Sequence, residues 1–230
     1  MGSAMSTVIY QLDWAVAAQV FGSVAQGAGA IVLAIAGWIG ISSWRKQLQG
    51  TRRQALAEEA LSLVYRLVDA IEHLRQPFAF GGEMSQVKRL AEETDADFDH
   101  RKQYGVVEVR YQAHAEVASQ LASIRFRVQA VLGGNAKAAI DDVLRVLRRV
   151  RNEASNASRH KRALVLQSDL LRRYPGDANA ASYDETRERL AASEAWVWAG
   201  EEAGDPVVER LSAAIRRAES ALKGFATIES

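Results

Sequence analysis

A chain of 230 residues is long enough for one domain with a real core beside a single apolar segment. With 29 Lys+Arg against 28 Asp+Glu it is close to neutral, which argues against a general nucleic-acid-binding surface. Cys is absent, so disulfides, thiolate metal sites and cysteine nucleophiles are excluded, and only 3 Pro occur, which suits long helices.

Between Trp14 and Trp44 there is no Asp, Glu, Lys or Arg. A bilayer core about 30 Å thick is crossed by roughly 20 apolar residues in a helix, and this run exceeds that length. Its most lipophilic part, 25–44, contains Ile31, Val32, Leu33, Ile35, Trp38, Ile39 and Ile41, and the hydrocarbon core is placed there. Trp38 and Trp44 serve as interfacial anchors, and Arg45, Lys46, Arg52 and Arg53 follow as a basic group suited to anionic headgroups. The first Lys or Arg is Arg45, so the positive start of a cleavable secretory signal is missing. A wholly buried core helix is the competing reading, but such a helix is seldom followed at once by a basic cluster. Residues 1–13 are therefore read as a short extracytoplasmic N-terminus, 14–44 as the transmembrane segment and 45–230 as a cytoplasmic helical bundle, because positive residues stay inside. The pairs Ser23/Gly27, Ala25/Gly29, Ala30/Ala34 and Ala36/Gly40 would let a second copy approach through the membrane as a homodimer.

Beyond the span, Leu56, Ala60, Leu63, Leu67, Ile71 and Leu74 recur at helical intervals, which predicts a helix running on to about Arg75. Pro77 and Gly81-Gly82 mark a turn, and a short helix is expected from Glu83 to about Thr94. A long helix follows, with Tyr104, Val107, Tyr111, His114, Leu121, Ile124, Val128 and Val131 on one face. Gly133-Gly134 ends it, and Asn135 is the candidate N-cap of the next helix, whose face holds Ile140, Leu144, Leu147, Ala154, Ala157, Leu164 and Leu171. Pro175-Gly176 stops that one. Tyr183 to Trp198 forms a further helix, and Asp205-Pro206 opens the last, with Val208, Leu211, Ile215, Ala218 and Leu222 as its buried face. No segment alternates at period two, so the expected fold is all-α: an N-terminal transmembrane helix continuing into an antiparallel bundle.

The stretch Leu74-Arg75-Gln76-Pro77-Phe78-Ala79-Phe80-Gly81-Gly82-Glu83, after an Ala/Glu-rich helix with Tyr65 and Asp69, resembles a pattern in uncharacterised single-pass bacterial membrane proteins. Arg151-Asn152-Glu153 and the segment from Trp196 to Pro206 are similar too. The resemblance implies a bacterial inner-membrane protein with a helical cytoplasmic body. It brings no assigned reaction.

Among the candidate sites, Arg75, Pro77, Phe78, Phe80 and Glu83 form the most specific local cluster. It reads either as a structural corner closed by an Arg75–Glu83 ion pair or as a loop that docks a protein partner. Arg145, Arg148, Arg149, Arg159, Lys161 and Arg162 are the largest local charge excess and a possible anion patch, although Asp141, Asp142 and Glu153 stand within pairing distance along the helix and no aromatics for base stacking accompany them. Asp95, Asp97, Asp99 and His100 lack the Gly and Glu positions of a calcium loop, and Asp177-Asn179 with Glu188 at the twelfth place has Ser182 where Gly should stand and Ala181, which cannot ligate; both read as helix-start acids. The sequence has no HExxH, GxSxG or P-loop, and no di-iron Glu-x-x-His pairs, so neither a catalytic residue nor a metal or other cofactor is expected.

These observations favour a membrane-anchored interaction or scaffold protein whose partners are the lipid bilayer and an unidentified protein. Two rivals stand beside it. One is a membrane-tethered stress or phage-defence component that meets nucleic acid, or a nucleic-acid-bound partner, through 145–162. The other is an enzyme whose site would gather Asp69, His73, His114 and Glu116.

Overall fold

The computed structural model describes residues 14–77, 81–200 and 204–226, with side chains described from Ile35 onward except at 36 and 46. Among these residues there are six helices and no strand: α1 (Trp14–Leu74), α2 (Gly81–Ser85), α3 (Asp95–Leu132), α4 (Gly134–Arg173), α5 (Asp177–Val197) and α6 (Pro206–Ala226). The all-α expectation holds. The chain divides into two compact units, Met1–Thr51 and Arg52–Ser230.

In the first unit, Ile35, Trp38, Ile39, Ile41, Trp44 and Leu48 of α1 are all exposed. Among the described residues no helix is long and apolar enough to cross a membrane. Most of the expected span, including 25–34 of its core, lies outside the described side chains, as do the N-terminus 1–13, three of the four small-residue pairs and Ala36 of the fourth.

In the second unit, Leu56, Ala60, Leu63, Val64, Leu67, Ile71 and Leu74 of α1 are buried in one core with α3, α4, α5 and α6. Fully burying one such Leu or Ile contributes about 1.5–3 kcal/mol. Partner pairs show the neighbours to be antiparallel, because one residue number rises as the other falls. Between α3 and α4 the ion pairs run Asp97–Arg162, Glu108–Arg151 and Arg125–Asp141. Between α1 and α6, Tyr65 Oη donates to Glu219 at 2.6 Å, and Arg75 at the end of α1 meets Asp205 just before α6. Helix α4 packs against α3, α5 and α6 and is buried on most of its circumference as far as Ala157.

Local chemistry sets the ends. Thr94 caps α3, its hydroxyl accepting from Asp97 N at 3.2 Å, and the Asp95 and Asp97 carboxylates sit in the first turn, where the helix dipole favours them. Gly133 alone links α3 to α4 at φ 101°, a conformation that a Cβ disfavours. Asn135 consequently lies inside α4 and is not its N-cap.

Three expectations are corrected. The helix from Glu83 to Thr94 is only α2, Gly81–Ser85, because Val87 is drawn down against Gly105 of α3, where a Cβ would stand 2.6 Å from Val87 Cγ1. Helix α5 starts at Asp177, not Tyr183. The buried face of α6 is Val207, Leu211, Ala214, Ala218 and Leu222, which leaves Val208 exposed and Ile215 half-buried.

Candidate functional site

The corner after α1 is built on two buried arginines, and neither makes the expected Arg75–Glu83 pair. The Arg75 side chain is 4% exposed and that of Asp205 2%, with Nη2 at 2.9 and 2.8 Å from the two carboxylate oxygens. Arg75 Nε donates to Trp196 O at 2.9 Å, and Nη2 also donates to Ala195 O and Trp198 O. The last carbonyls of a helix have no partner within it, and a five-donor guanidinium satisfies several at once. Asp205 in turn accepts from the N–H groups of Val207 and Val208 at the start of α6. Burial opposes ionisation of Asp205 more than any other single effect. The bond from Arg75, helped by the Val207 N–H and the nearby positive charge, outweighs it and holds the carboxyl below its ordinary range.

Glu83 pairs instead with Arg110 of α3, two guanidinium nitrogens each 2.9 Å from its oxygens. Arg110 Nη1 also donates to Gln76 O at 2.7 Å and Leu74 O at 3.3 Å, so it caps the end of α1 as Arg75 caps the end of α5. Of the remaining loop candidates, Pro77 is exposed, and Phe78 and Phe80 lie outside the described residues. Arg75 and Glu83 thus serve the corner's architecture.

Of the four residues whose convergence would mark an enzyme, two meet: His73 Nδ1 and His114 Nε2 are 3.0 Å apart, a separation bridged by one ring proton. Asp69 and Glu116 are exposed and bond to neither histidine. Burial and the neighbouring His73 hold the His114 pKa below its ordinary value of about 6.5. A histidine with a lowered folded pKa supplies stability that is fully present above the unfolded value and lost as pH falls through the folded one. Urea titrations of wild type between pH 7 and pH 5 are therefore expected to show a steeper loss of stability than those of His114→Gln; equal slopes would refute the assignment.

The expected anion patch is divided by α4 itself. Arg162 pairs with Asp97 at 2.7 Å, Arg159 donates to Asn156, Arg148 bonds back to Leu144 O, and Lys161 is half-buried. Arg145 and Arg149 face the other way, toward α5 and α6. There they meet Arg210 and Arg217, which sequence reasoning passed over. The available signal was their seven-residue spacing on α6 beside the apolar stripe. These four arginines and Asp142 surround Trp196 in a cleft of about 370 Å³.

A larger cleft of about 630 Å³ lies between α3 and α4, lined by Arg101, Tyr104, Glu108, Arg151, Ser155 and Arg159 among others. Its charges are largely spent internally. Arg151 sits 3.6 Å above the Tyr111 ring while bonding Glu108, and Arg101 holds Glu93, whose pKa its hydrogen bond lowers to about 2. Trp198 stacks on Tyr104 and so packs inside the chain. Of the residues expected to anchor the chain at a membrane surface, Trp38, Trp44, Arg45, Arg52 and Arg53 are exposed, and the Lys46 side chain lies outside the described residues. Among the described residues no group of three His, Asp or Glu is placed to hold a metal ion.

The chain matches no protein-family model, no curated protein and no solved structure.

Proposed function

We propose that this protein is a membrane-anchored interaction or scaffold protein of the bacterial inner membrane, N-terminus outside, with a helical body in the cytoplasm. The observation that carries this reading is the exposure of Ile35, Trp38, Ile39, Ile41 and Trp44 on α1. At 100° per residue these side chains spread over roughly 220° of the helix circumference, the remaining sector holding the small, uncharged Gly40 and Ser43, and so broad an apolar face is suited to apolar surroundings. Among the described residues of this unit no side chain covers them, and lipid would satisfy them with the backbone groups already bonded within the helix. The uncharged run from Trp14 to Trp44 and the basic residues after it agree with a span 14–44 in the stated orientation. The small-residue pairs of this span would bring two copies together.

The interaction role rests on the body. Its two buried arginines serve helix ends, which leaves packing surface as its main offering, including the exposed Leu166, Leu170 and Tyr174 at successive turns of α4 and its cap.

Full-length protein in bacterial membranes is expected to stay with the pellet through an alkaline carbonate wash. Ile35→Arg with Ile39→Arg should release it, since each Arg near a span's centre costs about 2.5–3.5 kcal/mol. Affinity purification from native membranes should then return a stoichiometric protein partner. Release of the wild type by carbonate would overturn the anchoring, and recovery of the protein alone after crosslinking would overturn the scaffold role.

A further inference from the structure

We propose that the cleft between α4 and α6, floored by Trp196 of α5, is a binding site for a phosphate group. Arg145 and Arg149 stand one turn apart on α4, and Arg210 and Arg217 stand two turns apart on α6. The helices are antiparallel here: Arg149 faces Arg210 across Trp196, while Arg145 and Arg217 meet at Asp142. Guanidinium carbons of Arg149 and Arg210 lie 5.2 and 4.9 Å from the centroid of the same indole ring, which is itself almost wholly buried. One aromatic ring therefore has two like charges beside it.

The carboxylates nearby do not balance these cations. Asp142 accepts from both Arg145 and Arg217 and so carries one negative charge for two positive ones. Glu153 pairs with Arg149 at 2.8 Å, but its other oxygen is occupied by Asn156 and Ser193, and the side chain is 8% exposed. Arg210 meets Trp196 and bonds to no carboxylate among the described residues. Among the described residues, four guanidiniums against two carboxylates leave a surplus of two positive charges in a cleft of about 370 Å³.

Like charges gathered at this spacing repel, and an anion relieves the repulsion. A guanidinium held over a ring by its charge keeps its N–H edge for a second partner, and two such forks suit an anion with several acceptor oxygens. A phosphate monoester or diphosphate has that number of oxygens and a charge that matches the surplus. At about 370 Å³ the cleft has room for a phosphate and part of the molecule that carries it, and Arg159 and Arg162 on the other side of α4 do not extend it into a track for a nucleic-acid backbone. The phosphate belongs either to a free small molecule or to a phospholipid headgroup, and the inference holds independently of how the chain is anchored.

The test uses full-length protein in a neutral detergent at about 50 mM salt, where electrostatic binding is strong. Inorganic pyrophosphate is titrated calorimetrically in one arm, and micelles doped with phosphatidylglycerol are titrated in the other. Binding in either arm is expected to weaken by at least about tenfold in Arg210→Gln, the loss of roughly one bidentate charge-assisted contact. It should weaken less in Arg210→Lys and not at all in Arg216→Gln, an equal charge change at an exposed position of α6 outside the cleft. Loss confined to pyrophosphate identifies a free phosphate compound, and loss confined to the doped micelles identifies a lipid headgroup. No binding in either arm overturns the proposal, as does equal weakening by Arg210→Gln and Arg216→Gln. Far-UV circular dichroism checks that each variant keeps the helical content of wild type, and Arg210→Lys carries the comparison if Arg210→Gln does not fold.

Discussion

Arg75→Met is expected to destabilise the helical body by about 3–5 kcal/mol, the range for removing one partner of a buried ion pair. Total stability of a domain is about 5–15 kcal/mol, so this single change takes a large share of it. The methionine fills much of the volume but leaves the Asp205 carboxylate, 2% exposed, without its cation. The carbonyls of Ala195, Trp196 and Trp198 lose their donors in the same step. Asp205→Asn is milder, about 1–3 kcal/mol, because the amide oxygen still accepts from Val207 N and from Arg75. In the double variant the two losses should not add, since no buried charge is then left unpaired on the aspartate side. Urea unfolding of full-length protein followed at 222 nm measures all three, and a loss below about 1 kcal/mol for Arg75→Met would show that water replaces the guanidinium. The pH dependence adds a signature. Because the folded pKa of Asp205 is lowered, the pair's contribution is fully present above the ordinary carboxylate value of about 4 and lost as pH falls through the folded value. Arg75→Met should therefore flatten the acid limb of the stability curve below about pH 4.

The helices were legible in the sequence wherever an apolar stripe drew them. Leu56 to Leu74, Tyr104 to Val128 and Ile140 to Ala157 are buried much as their spacing requires. What was misread has identifiable causes. The start of α5 runs through Ala178, Asn179, Ala180, Ala181 and Ser182, which show no stripe, yet alanine is the best helix former and the turn goes helical without a buried face. The segment after α2 has helical composition but obeys a tertiary demand: Val87 packs onto Gly105, Lys88 O accepts from Arg101, and Glu92 is carried to φ 69°. Arg75 was paired with Glu83 because both were close in sequence, whereas its partner Asp205 is 130 residues away. Nothing local distinguishes a buried arginine from a solvated one. The basic residues of α4 were visible, but the half of the cleft supplied by Arg210 and Arg217 required knowing that α6 lies beside α4.

Arg110→Met is expected to cost about 2–4 kcal/mol, large but below Arg75→Met, and the difference follows from where water can reach. Position 110 falls three residues after Val107 and four before His114, on the core face of α3, so an arginine there is drawn inside and its side chain is 1% exposed. Its removal strips Gln76 O and Leu74 O of donors at the end of α1 and takes from Glu83 a bidentate partner. Glu83, however, is 21% exposed where Asp205 is 2%, so solvent recovers part of the carboxylate's loss in one case and almost none in the other. The two arginines also act in sequence. Arg110 fixes the carbonyl end of α1, and the residue immediately after that end is Arg75, which reaches the ends of α5 and α6. Loosening the first should displace the second, so Arg110→Met and Arg75→Met are expected to be non-additive, with a coupling of about 0.5–3 kcal/mol. Strict additivity in the double variant would show that the corner holds the two arginines independently. A cost for Arg110→Met equal to or above that for Arg75→Met would show that exposure of the carboxylate does not set the order.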